Sequence, residues 1–581
     1  MVDIRRPWVV DNGLSPRFPV YTRGNAGEVA GMVASPLQQT AISGWRSEIA
    51  WRKALVDFGA FDESEFRSDD LDILGIVHGY IYMNLSIQRV FGARMPGASP
   101  ELMDRTYVGD SKGAPPYEAQ PGDDAPQYTE RIVKSIERVF STQSRPDLDE
   151  DAESTTALRA RRPDYSALSN SELLAYSSKV WDEHAAELLR KHMLMMYESS
   201  MVTGLLEEAL APFEDPTLAV RLMGGWGGVA SAAPAVGLWE LGRIVAGSPE
   251  LTADFDSGVN GLHERLHDRT DEVSQRFVKA FEDFLLEFGS RSTQEWDVFP
   301  PTWETHPEIA LGLTDRLRLL PEDKDPRRTA PRVREEREAL TAQLRERLAD
   351  RPEQLEKLEV ALRTMSVWMP ARELSKTNFI RALHECRLPL RELGRRFTDS
   401  GHLESIEDLS LLRLGEVEEM LGDPDAVIKR IPERKEWMKQ LESLEPPFVV
   451  VTDQVPPAAE WPRRSAPSAL PPVQPGEILT GLGACSGSAT GIARVIDDPS
   501  EATELEPGEI LVAPETDPGW TPLFTSCSAV VVNVGSPLSH AAIISRELGI
   551  PAVLAVEQAT KRIKTGTVIT VDGTAGTVTV H

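Results

Sequence analysis

The stretch Asn533-Val-Gly-Ser-Pro-Leu-Ser-His-Ala-Ala-Ile-Ile-Ser-Arg-Glu-Leu-Gly-Ile-Pro-Ala-Val553 decides how this 581-residue chain is read. A β-branched run ends at Val534, a Gly-Ser-Pro turn follows, and Ser539 stands at the N-cap of a helix that starts at His540. Gly549 ends that helix, and Pro551 lies just beyond its stop. His540 thus falls on a first helical turn, where free N–H groups and the positive end of the helix dipole disfavour imidazolium and welcome an anion. That setting suits a neutral nucleophilic imidazole that carries a phosphoryl group. A histidine that only caps a surface helix has the same local pattern.

Short β-branched runs at 508–514, 529–534, 552–556, 567–571 and 577–580 surround this segment, the last two flanking the turn 572–575. They predict a compact α+β domain over 477–581. Upstream, prolines 456, 457, 462, 467, 471, 472 and 475 mark 451–476 as a linker. At about 3.1 Å per residue in extended polyproline geometry, it would reach ~80 Å. Before it, 1–450 reads as a mainly helical domain. Leu355, Leu358, Leu362, Met365 and Met369 follow helical spacing up to a stop at Pro370. Similar periodicity marks 128–141, 171–211, 258–289 and 335–350. Surface loops are expected at 104–127 and at 142–169, the latter with the acidic run Asp147 to Glu153.

The 62 Lys and Arg against 91 Asp and Glu give a net charge of −29, which argues against nucleic acid and anionic membranes as partners. A hydrophobic fraction of 41% allows a buried core, and the length provides material for about three to five domains. Three widely spaced cysteines, Cys386, Cys485 and Cys527, support neither a disulfide framework nor a cysteine zinc site. With no signal sequence and no apolar run near 18 residues, a cytoplasmic protein is expected.

The His540 segment resembles the phosphohistidine, or swivelling, domain of the phosphoenolpyruvate-utilising enzymes. The similarity extends to Gly483-Ala-Cys-Ser-Gly-Ser-Ala-Thr-Gly-Ile-Ala-Arg-Val495, to Thr516-Asp-Pro-Gly-Trp-Thr-Pro-Leu-Phe524 and to Val571-Asp-Gly573. Ser536, Ser486 and Ser545 replace the usual glycine, proline and alanine. The resemblance implies that His540 is the phosphoryl carrier, with Gly535, Ser539 and Arg546 forming its loop.

On a helix from Ala371, the residues Arg372, Lys376, Phe379, Leu383 and Cys386 share one face, so two cations sit on a stripe that packs inward. A phosphoryl group in transfer would balance them. On spacing alone they could equally snorkel to water or pair with glutamates. Arg372-Glu-Leu-Ser-Lys376, Arg381, Arg391-Glu-Leu-Gly394 and 408–417 resemble the helical substrate domain of the rifampin phosphotransferase family. Gly289-Ser-Arg-Ser-Thr-Gln-Glu-Trp-Asp297 and Asn25-Ala-Gly-Glu-Val29 match it too. This resemblance implies transfer roles for Arg372 and Lys376 and substrate binding by Asn25, Glu28, Arg291, Glu295 and Arg381. Asn25 and Glu28 also read as turn and capping residues. Ser290 stands where many relatives have histidine.

The expected fold is therefore multidomain, a mainly α-helical substrate domain plus a small α+β swivelling phosphohistidine domain. No phosphate loop occurs; Gly224-Gly-Trp-Gly-Gly228 lacks its lysine and spacing. The helical patterning also excludes a phosphoenolpyruvate-binding barrel. A separate ATP-grasp protein, holding ATP and Mg²⁺, is the expected donor, as the resemblance to two-protein relatives such as phenylphosphate synthase suggests. A small-molecule hydroxyl or carboxylate is the expected acceptor, and no intrinsic cofactor or metal is expected. Two alternatives remain: an interaction or regulatory protein that keeps the fold without turnover, and a zinc peptidase built on His263-Glu264-Arg265-Leu266-His267 with Glu287 as third ligand. His184, His192 and the methionines Met193, Met195 and Met196 read as core, or as the wall of an apolar pocket.

Overall fold

The computed structural model describes residues 3–109, 113–213, 215, 217–228, 230–464, 470–497, 505–516, 518–537 and 539–581. Tertiary contacts divide the chain into two units that alternate along the sequence. The first comprises Met1–Glu198, Trp296–Phe299 and Asn378–Ala466, and the second Ser199–Glu295, Pro300–Thr377 and Pro467–His581. This differs from the expected order of helical domain, linker and C-terminal domain.

The first unit contains a four-stranded antiparallel sheet. It is built from β1 (Val20–Thr22), β2 (Leu74–Val77), β3 (Tyr80–Asn84) and β4 (Val449–Val451), in the order β2-β3-β1-β4. Val451 pairs with Val20, and Trp461 is buried in one cluster with Trp8, Tyr80 and Trp437. The start of the expected tether is therefore fixed: a strand pairing and a buried indole hold 451–461 in this unit. Residues 465–469 of that segment lie outside the described residues.

Helices form at Pro126–Ser141, Asn170–Val180 and Ala186–Leu210, with a π-turn at Trp181–Ala185 between the last two. The acidic run is not a loop. It lies on the helix Pro146–Ala160, with Pro146 opening the first turn and Asp147 and Asp149 at its positive end. The stop expected at Pro370 is also absent: one helix of 48 residues runs from Pro352 to Asp399. A proline removes one N–H bond and crowds one carbonyl. The burial of Leu358, Leu362, Met365 and Trp368 before it and of Phe379, Leu383, Cys386 and Leu390 after it outweighs that loss. The helix gives its first part to the second unit and its remainder to the first.

The second unit holds an eight-stranded sheet. Its strands are β5 (Ile478–Thr480), β6 (Leu482–Cys485), β7 (Ser488–Val495), β8 (Ile510–Ala513), β9 (Ala529–Val532), β10 (Ala552–Leu554), β11 (Val568–Asp572) and β12 (Thr577–Val580). The order is β5-β12-β11-β7-β8-β9-β10-β6. Strands β7 to β10 run parallel and the flanking pairs antiparallel. The helix His540–Leu548 is the crossover between β9 and β10, so His540 lies just past the C-terminal end of a parallel strand.

Helices Ala233–Ala246, Glu272–Phe288 and Pro307–Arg318 share one apolar cluster with the sheet: Trp239, Phe281 and Trp303 are in it, as are Trp520, Phe524 and Ile544. The C-terminal sheet is thus packed with residues from 233–320 rather than standing apart. Among the described residues no helix is long and apolar enough to cross a membrane.

Candidate active site

Ser539 occupies the N-cap of the His540 helix in extended conformation, and Gly549 closes it at φ 60°, as the residue types require. The Ser539 hydroxyl caps nothing; its Oγ is buried without a hydrogen-bond partner, as are Ser545 Oγ and Thr516 Oγ1. Gly535 packs closely on β10: a Cβ there would sit 3.0 Å from Leu554 Cβ. On the last turn, Arg546 is buried and its Nη2 donates to Pro537 O at 2.5 Å, tying the helix back to the turn that precedes His540.

The imidazole Nε2 lies 3.3 Å from Thr521 Oγ1, and the ring meets Phe524 edge-on at 6.2 Å. Burial holds His540 well below the ordinary imidazole value of 6.5, and the positive charges of Lys376 and Arg291 push in the same direction. The ring is therefore neutral, with a lone pair available.

Those two cations are held by one carboxylate and one hydroxyl. Arg291 Nη1 donates to Glu295 Oε1 at 3.0 Å and Nη2 to Thr377 Oγ1 at 3.1 Å, while Lys376 Nζ stands 3.7 Å from Glu295 Oε2. Glu295 and Arg291 are 1% and 2% exposed, so the pair is a buried anchor. The loop bearing them is shaped by backbone bonds, with Trp303 N donating to Arg291 O and a bridge joining Ser292 to Thr302. Gly519 of the short helical turn Pro518–Trp520 presses on this loop; a Cβ there would meet Thr293 N at 2.7 Å. Arg372, one turn before Lys376, is buried with Nη1 3.4 Å from Ser199 Oγ. Its charge is felt at Arg546, which burial pushes down to about 10.

The structure thus brings together His540, Lys376, Arg291 and Glu295, with Arg372 and Arg546 alongside one another. Asn25 and Arg381 belong to the first unit. Asn25 is the residue before a four-residue helix and has φ 65°, a turn conformation. The Glu28 side chain lies outside the described residues. His192 and Met193 are buried in the first unit, His192 with its ring 6.0 Å from Trp296. Sequence reading did not single out Thr521, Thr377 or Phe524 as contacts. Thr521 and Phe524 fall inside a quoted motif, but only the fold shows what they touch.

The His263-Glu264-x-x-His267 pattern lies on a helix of six residues that exposes Glu264 and packs His263 against Phe281 at 5.5 Å. Among the described residues, no three His, Cys, Asp or Glu side chains converge to hold a metal. The peptidase alternative is left without a third ligand.

Residues 505–576 match the PEP-utilising enzyme mobile domain, and residues 187–373 the rifampicin phosphotransferase fourth domain. The chain is 32% identical over 358 residues to "Uncharacterized phosphotransferase YvkC" of Bacillus subtilis (strain 168), covering 59% of this chain and 41% of that protein. It is 33% identical over 309 residues to a rifampicin phosphotransferase of Bacillus cereus, covering 52% and 34%. A third relative, prodigiosin synthesizing transferase PigC of Serratia marcescens, is 31% identical over 322 residues, covering 54% and 34%. The chain spans less than half the length of these curated relatives. Both resemblances read from the sequence, to the mobile domain and to the rifampicin phosphotransferases, are thereby found.

Proposed function

We propose that this chain, carrying a PEP-utilising enzyme mobile domain beside a rifampicin phosphotransferase fourth domain, is a phosphotransferase that works through phospho-His540. The observation that carries this reading is an imidazole at a helix start, 3.3 Å from a threonine hydroxyl, which burial and the charges of Lys376 and Arg291 hold well below its ordinary pKa.

With the ring proton on Nδ1, Nε2 accepts from Thr521 Oγ1 and keeps its lone pair until a donor displaces the hydroxyl. The lone pair attacks phosphorus, the P–N bond forms and the donor's P–O bond breaks, its electron pair leaving with the donor oxygen. In the second displacement an acceptor oxygen attacks phosphorus, the P–N pair returns to Nε2, and a hydroxyl acceptor gives up its proton to solvent. Lys376 offsets the charge on the equatorial oxygens during that step. Arg291 and Glu295 hold Lys376 in place, and Arg372 stands one turn before it. In this reading the packed arrangement, in which the charges of Lys376 and Arg291 act on the imidazole, is the delivering one. Loading requires the C-terminal part to separate from the helices, exposing the imidazole to the donor.

The donor in this proposal is a separate ATP-grasp protein that holds ATP and Mg²⁺. The acceptor is a small-molecule hydroxyl or carboxylate. Phosphoramidate, a small P–N donor, tests the carrier without the partner. Incubation should add one acid-labile phosphoryl group by intact mass, and His540→Asn should add none. A chain that gains no phosphoryl group, or gains it equally in H540N, refutes the carrier.

A further inference from the structure

The His540 helix has a second polar surrounding at its other end. A cavity of about 40 Å³ lies there, lined by Arg221, Arg332, Arg337 and Arg546, with Glu336 the one carboxylate among its lining residues. Such a gathering of guanidinium groups runs against the net charge of −29. One water needs ~10–15 Å³ of such space, so the cavity has room for a single tetrahedral oxyanion.

The guanidinium groups are met mostly by neutral acceptors. Arg546 Nη2 is spent on Pro537 O, and Nη1 faces the thioether of Met223 at 3.6 Å. Arg337 Nη1 donates to Gly225 O at 2.6 Å while its carbon stands 4.0 Å from the Trp226 ring centre; its carboxylate neighbour, Glu338, is exposed and 3.6 Å away. Arg332 reaches Glu336 at 2.6 Å and Gly549 O at 3.3 Å. Behind them Glu547 Oε1 accepts from Gly225 N at 3.2 Å. Burial lowers both Arg546 and Arg337, the sign of cationic charge that its surroundings do not fully offset.

The wall is also built to be close. Gly225, at φ 71°, leaves 2.9 Å between its would-be Cβ and Arg334 N, and a Cβ on Gly224 would lie 3.1 Å from Arg546 Cβ. Gly224, from the glycine run that is not a phosphate loop, lines the cavity, and its missing side chain leaves room for the Arg546 stem.

We propose that this cavity is a binding site for one phosphate-sized dianionic oxyanion, held by Arg332, Arg337 and Arg546 and distinct from the His540–Lys376 site. Forked guanidinium donors match tetrahedral oxyanions. The site stands on its own geometry and does not depend on the transfer chemistry.

The test is calorimetric titration of the full chain with inorganic phosphate at constant ionic strength, with glycerol 3-phosphate as a second arm to separate free phosphate from a phosphomonoester. One phosphate should bind per chain, and Arg337→Gln should weaken it about ten-fold or more. Arg332→Gln, at a half-exposed position, should act in the same direction without threatening the fold, and Lys376→Met should leave the affinity unchanged. Absence of saturable binding would overturn the proposal. So would binding lost in K376M and retained in R337Q and R332Q, which would place the phosphate beside His540.

Discussion

An imidazole that attacks phosphorus must keep its lone pair, and burial, Lys376 and Arg291 all act on His540 to that end. Because the folded value lies below 6.5, the unfolded chain takes up a proton near pH 6.5 that the folded chain refuses. Stability is therefore lost as pH falls below that value, and H540N should flatten this part of a denaturation profile against pH. Removing one cation has the opposite sign for the ring: in Lys376→Met the His540 value rises toward 6.5. A titration of the ring by proton NMR on the unphosphorylated chain should show its midpoint moved to higher pH than in the unsubstituted chain, and an unmoved midpoint would show that Lys376 does not act on the ring. Thr521→Val removes the hydroxyl at Nε2. It should speed uptake about five-fold, because a ~1 kcal/mol ground-state hydrogen bond no longer has to be displaced before attack; a slower rate would show that Thr521 orients the ring instead. His540 stood out for a local reason, a strand–turn–helix pattern; the four-residue step put Arg372 and Lys376 on one face but left a pairing with glutamate equally open, and Lys376 does stand 3.7 Å from Glu295 Oε2. Thr521 and Thr377 were not legible, since each gains its partner through tertiary contact with another segment.

Helices and turns set these side chains in register, and here sequence reading erred where packing overrides a local signal. Pro370 looked like an end and is interior, because apolar rows on both sides are buried. The acidic run looked like a loop and is a helix, because its first charges lie at the positive end. The His540 helix itself runs over His540–Leu548 and ends at Gly549, as its residues dictate. The contact between the Gly519 turn and the Ser292–Thr293 loop left no trace in spacing. Gly519→Ala places a methyl against backbone, which cannot rotate away, and should lower stability by ~1–3 kcal/mol in chemical denaturation. Glu295→Ala strips the anchor from a buried arginine and should cost ~3–5 kcal/mol by the same measurement.

At the scale of the whole molecule, the strands at the C-terminus were readable from β-branched runs and turn residues. The boundaries between units were not. Composition marks where a chain is rich in proline, but it does not show that Trp461 is buried or that Val451 pairs with Val20. Nor does it show that Trp520 and Phe524 join the cluster of Trp239 and Phe281. A carrier that leaves its acceptor wall has to uncover part of this apolar cluster.

The most direct measurement is the intact mass of the full chain after exposure to phosphoramidate, followed by peptide mapping under alkaline conditions. One acid-labile phosphoryl group on His540, absent in H540N, is the predicted result. A chain that stays unmodified while its fold is intact, or that carries phosphate on another residue, would contradict the account.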